Sequence, residues 1–143
     1  MKSISTLIIA SLLVFSSCSI EQEKINYGNE ACHFCKMTIV DKQHAAEVVT
    51  AKGKVFKYDA IECMINDLKQ KEGTNIALLL INDFAEPGKL IDANTATYLI
   101  SKQIKSPMGA FLSGFKSKKE AAKTQEEFGG FIYTWAEVQD QIN

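Results

Sequence analysis

Cys32, Cys35 and Met37 fall within the run Cys32-His33-Phe34-Cys35-Lys36-Met37, and two thiols with one thioether at that spacing make a donor set for a soft metal. Thiolate and thioether groups suit copper(I), which accepts low coordination numbers, whereas harder ions favour carboxylates and carbonyls. In an extended segment side chains alternate, so Met37 points to the same side as Cys35. The spacing also leaves three other chemistries open. A structural zinc site normally takes four Cys or His ligands, and here the second pair would come from Cys63 with His33 or His44, at no usual spacing. Thiol–disulfide exchange needs the first cysteine at a helix N-terminus that lowers its pKa, but a polar stretch precedes Cys32 and a β-branched run follows Cys35. A plain disulfide is the third.

Other sulfur and imidazole groups are candidates with weaker claims. His33, inside the motif, is better placed than His44. Met108 sits in a Pro107-Met108-Gly109 loop without apolar periodicity, while Met64 falls on an apolar helix face and reads as core. No Ser/His/acid constellation, catalytic carboxylate pair or glycine-rich phosphate loop is evident, so hydrolytic and nucleotide chemistry have no support; the chain is read as a non-enzyme.

The chain ends and the charge narrow the setting. Met1-Lys2, an apolar stretch over residues 4–15, and Ser16-Ser17 before Cys18 read as a lipoprotein signal over residues 1–17, with Cys18 lipidated as the first mature residue. The apolar stretch is shorter than the roughly 20 residues of a spanning helix. All 16 basic residues are lysines, set against 17 acidic ones, and losing Lys2 with the signal leaves a net −2. No basic stripe suggests nucleic acid. The three remaining cysteines, Cys32, Cys35 and Cys63, are an odd number in an exported, oxidising setting, which argues against a simple disulfide framework.

The elements that must position these groups follow from periodicity. Residues 18–30 are polar and read as lipid anchor and flexible tether, with the metal-binding domain over residues 31–143. Residues 46–50 and 54–58 alternate around Lys52-Gly53, a hairpin signal. Asp59 and Glu62 have capping-box spacing, and Ile61, Met64, Ile65 and Leu68 form one helical face up to a stop at Gly73. Residues 76–81 read as a buried strand, 95–100 as another, and 110–115 as extended. Ser117 and Glu120 open a second helix that stops at Gly129-Gly130, before a strand at 131–133 and a last helical turn or two from Trp135. The fold class is α+β: two ββαβ-like units sharing a compact core.

The CxxCxM run, followed by Asp41, Ala45-Ala46 and Phe56-Lys57-Tyr58-Asp59, resembles the NosL family of lipoproteins, accessory to nitrous oxide reductase. Ile91-Asp92-Ala93 with Ala96 and Tyr98, Pro107-Met108-Gly109, and Glu127-Phe128-Gly129-Gly130 extend the resemblance over nearly all of the folded part. It implies a monomeric, lipid-anchored, periplasm-facing copper(I) chaperone serving nitrous oxide reductase, or another copper acceptor, in denitrification. It also implies the two-ββαβ fold, with Cys18 as the lipidated residue, Cys32, Cys35 and Met37 as the metal motif, and Met108 as a distal donor. Lys36 stands where glycine is common in that motif. Cys63 is an addition relative to many members, open as a further thiolate or as a buried small residue.

Overall fold

The structure is a computed structural model that describes residues 19–142; the signal and Cys18 lie outside the described residues. Strands β1 (Ala46–Thr50) and β2 (Val55–Tyr58) form the expected hairpin, helix α1 spans Ile61–Gln70, and β3 spans Ile76–Asn82. A short β4 (Leu90–Asp92) precedes β5 (Thr97–Ile100), β6 (Leu112–Phe115), α2 (Lys118–Phe128), β7 (Phe131–Tyr133) and α3 (Trp135–Gln141). Two antiparallel sheets result, ordered β2-β1-β3-β4 and β6-β5-β7. Leaving β4 aside, each unit runs strand, strand, helix, strand, with its first strand in the middle. The suspected repeat is therefore present in topology.

The hairpin register pairs Ala46 with Tyr58 and Val49 with Val55, and Gly53, at φ +77°, makes the turn. That pairing delivers the end of β2, and Asp59 after it, to the start of α1. On α1, Ile61, Met64 and Ile65 are buried as the periodicity predicts, in a cluster with Val48, Ile81, Tyr98 and Leu112. Each such side chain contributes about 1.5–3 kcal/mol by leaving water. A second cluster of Leu99, Ile104, Phe115 and Ala121 lies under α2. The units close on each other where Phe84 N–H donates to Gly114 O at 2.8 Å. A Cβ on Gly114 would lie 2.2 Å from Ile81 Cδ1, so any larger residue there would force the Ile81 side chain to shift.

Three sequence expectations need correction. The cap of α1 is not a capping box: the N-cap position is Ala60, with no side-chain hydrogen bond. Asp59 and Glu62 spend their carboxylates elsewhere. The chain from Cys35 to Met37 is not extended, because Lys36 between them sits at φ +67°, and Thr38 makes a single bridge to Ala31. Lastly, the segment read as tether is docked from Glu23 onward. Ile25 is 3% exposed, Glu23 N–H donates to Glu47 Oε1 at 2.9 Å, and Asn82 Nδ2 donates to the Tyr27 hydroxyl at 2.6 Å. Composition hid this because few apolar residues suffice when each finds a tertiary partner. Among the described residues no helix is long and apolar enough to cross a membrane.

Candidate metal centre

The motif folds as a knuckle closed by backbone hydrogen bonds. Ala31 bridges Thr38, Cys32 N–H donates to Met37 O at 2.8 Å, and Lys36 N–H donates to Cys32 O at 3.1 Å. Lys36 itself sits at φ +67°, in the left-handed region where glycine is at ease and a lysine costs about 1–2 kcal/mol. The turn thus survives the loss of the family's common glycine, helped by Lys36 Nζ donating to His33 O.

The knuckle sits against the start of α1. One ligand atom each from Cys32, Cys35, Asp59 and Cys63 all lie within 4.8 Å of one another. Asp59 Oδ1 accepts from Cys35 Sγ and from Cys63 Sγ, both at 3.3 Å. Cys32 and Cys63 are 0% and 1% exposed, and Cys35 is half-buried. All three cysteines are free thiols.

Their acidities diverge sharply. Cys32 is pulled down to about 6, chiefly by a hydrogen bond from Cys63 and, against the cost of burial, by backbone N–H groups of Asp59, Cys35 and Phe34. Cys35 is pushed up to about 11, first by burial. Cys63 is raised further, because its thiol serves the Cys32 sulfur and because it is buried beside Asp59. At neutral pH the centre therefore holds one thiolate and two thiols. A metal held by all three sulfurs would have to displace the two remaining protons, since the thiolate is the ligand.

The other predicted donors are placed as follows. Met37 is 52% exposed and Met108 44% exposed, so both thioethers face solvent. The Met108 loop is tied to α1 by Glu62, whose Oε1 accepts from Ser106 Oγ at 2.6 Å and from Ala110 N–H at 3.3 Å. His33 is not among the clustered donors: its Nε2 lies 2.8 Å from Lys71 Nζ, and its ring centroid is 4.4 Å from that of Phe56 with the planes tilted by 49°. Burial, then Lys71, with Lys36 and Lys54 adding, keeps this imidazole below its usual range against Asp67. His44 is buried elsewhere.

Two features were missed in the sequence. Asp59 looked like a helix cap because of its spacing to Glu62; the competing signal was its place four residues before Cys63, on the same face of the incipient helix. A Ser/His/Asp line also exists, with His44 Nδ1 2.8 Å from Asp41 Oδ2 and Nε2 3.1 Å from Ser113 Oγ. Ser113 is 0% exposed in β6, so no substrate reaches it, and the line is a satisfied core network.

The copper-binding lipoprotein NosL of Stutzerimonas stutzeri is 26% identical over 124 residues, covering 81% of this chain and 65% of its own length. The chain thus spans somewhat less than two thirds of that relative. The crystal structure of the copper chaperone NosL from Shewanella denitrificans superposes with a TM-score of 0.71 at 21% identity, over 81% of this chain and 94% of that one, so the fold is shared. The NosL family model matches residues 24–143, and the chain belongs to the NosL family.

Proposed function

We propose that this chain carries copper(I) in the bacterial cell envelope, anchored by lipid at Cys18, and delivers it for the copper sites of nitrous oxide reductase. The observation that carries the reading is the convergence of Cys32, Cys35 and Cys63 with Asp59 inside 4.8 Å. Three sulfurs match the softness and low coordination number of copper(I), and the relatives' own names supply copper as the cargo. Cys32 enters as a thiolate and Cys35 and Cys63 follow by giving up protons, with Asp59 Oδ1 already accepting from both. Cys35, half-buried where Cys32 and Cys63 are buried, is where an incoming ligand meets the metal. Release is ligand exchange on that side, with no change in oxidation state. Met108 is an auxiliary donor on its loop.

Anaerobic copper(I) titration of residues 19–143 against a competing chelator tests this. One equivalent should bind, and Cys32→Ser with Cys35→Ser should abolish it; undiminished binding by that variant removes the proposed site. Asp59 favours zinc as a second reading, because it brings the donors to the four that zinc takes and a carboxylate suits zinc better than copper(I), although it stands where a structural site has Cys or His. Zinc-dependent folding that copper(I) cannot replace would establish that reading instead. Thiol–disulfide exchange has less support: the acidic thiol, Cys32, is buried, while the reachable one, Cys35, stays protonated. Exchange needs an accessible thiolate.

A further inference from the structure

Beside the metal centre lies a cleft of about 480 Å³ lined by Lys52, Lys54 and Lys71 with Thr50, Thr74 and the Phe56 ring. Lys71 Nζ and Lys54 Nζ stand 4.3 and 4.8 Å from the centroid of that ring. Cation–π attraction of this kind holds an ammonium group over an aromatic face, so both charges are placed before anything binds. The cleft is joined to the sulfur site through His33, which packs against Phe56 and is bonded to Lys71. Lys36, directly after Cys35, keeps its ammonium against His33 O.

The charges are lopsided. Lys52, Lys54 and Lys71 line the cleft around the Phe56 ring, and among the described residues the one carboxylate paired with them is Asp67, 2.9 Å from Lys71. In the neighbouring pocket, which holds His33, Lys36 and Lys57, the balance differs, because Lys57 is matched by Glu30 at 2.7 Å and Glu23 at 3.3 Å. The cationic excess therefore belongs to the hairpin side of the site, in a chain whose formal charge is −1.

We propose that this lysine-lined cleft docks an acidic face of the protein that receives the copper, bringing its donors to Cys35. The proposal rests on the copper-carrier reading and adds the character of the partner. Carboxylates fit because the cleft offers separate ammonium groups and hydroxyls around an apolar floor. Opposite charges across such a surface raise the encounter rate and fix orientation rather than adding much affinity.

The test uses the copper-loaded full chain and two synthetic acceptor peptides sharing one Cys-x-x-Cys core, flanked either by glutamates or by glutamines. At low ionic strength the glutamate peptide should take copper(I) about tenfold faster or more, with the gap closing in high salt. Lys52→Glu with Lys54→Glu should erase the gap while leaving copper affinity, measured with a chelator, unchanged. Lys118→Glu with Lys119→Glu makes the same charge change on α2, which packs on the second sheet, and should leave the gap intact. Equal rates for the two peptides, or equal loss of the gap in both double variants, overturns the proposal. So does equal exchange together with binding of the lipid-free chain to phosphatidylglycerol vesicles through Lys52 and Lys54, which would assign the cleft to lipid. A chain that takes up no copper(I) fails one step earlier and removes the carrier reading with it.

Discussion

At the residue scale the pairing of Cys32 with Cys35 followed from spacing, whereas Asp59 beside them did not. Two cysteines and a methionine in one short run announce soft-metal chemistry by type alone, but Asp59 becomes a partner only through the β1–β2 register that carries it to the knuckle. The same contacts make an acidity prediction. Cys32 titrates near 6 when folded and near 8.5 when unfolded, so its contribution to stability grows as pH rises from 6 and is complete above the unfolded value. That contribution is lost as pH falls through 6. Wild type should therefore gain melting temperature over Cys32→Ser between pH 6 and 9 in the metal-free state; a constant difference would contradict the ionised Cys32. Iodoacetamide at pH 7 should label Cys35 slowly and Cys32 hardly at all, as peptide mapping would show, because one is protonated and the other enclosed. Lys36→Gly should stabilise the domain by about 1 kcal/mol in urea denaturation by relieving its positive φ, less the Nζ contact to His33 O.

At the scale of elements, periodicity read the hairpin and α1 correctly, and the Ser117–Glu120 cap spacing with the Gly129 stop marked α2. Periodicity missed β4, three residues whose pairing to β3 no local pattern announces, and the chain from Cys35 to Met37 is not the extended segment expected, because Lys36 turns it at positive φ. Glu62 shows what local reading cannot supply. Its spacing from Asp59 suggests a capping box, yet its side chain reaches 44 residues along the chain to hold Ser106 and the loop that presents Met108. Glu62→Ala should leave the buried Ser106 hydroxyl and the Ala110 N–H without that acceptor, at a cost of about 1–3 kcal/mol. Hydrogen exchange should rise selectively over residues 106–111. If only global stability falls, with no local gain in exchange, Glu62 is general packing and not the fastening of that loop.

For the whole molecule the decisive correction is the N-terminal arm. Residues 19–24 are exposed, but from Ile25 the chain is packed against the first sheet, with Gly28 N–H on Ile39 O and Ile39 N–H on Glu30 O flanking the knuckle. The arm therefore braces the metal motif from behind. If Cys18 carries the lipid, the free leash is residues 19–22 alone, and an extended chain of that length spans only about 14 Å. The centre would then work close to the membrane surface, with orientation restricted by the arm. A chain beginning at residue 31 tests the structural half of this argument: it loses the buried Ile25 side chain, worth about 1.5–3 kcal/mol, and the Tyr27–Asn82 and Glu23–Glu47 hydrogen bonds. Its urea midpoint should fall well below that of residues 19–143, and its copper(I) affinity should fall with it because the knuckle loses its brace. Equal stability and affinity in the two chains would return residues 18–30 to the role of a simple tether.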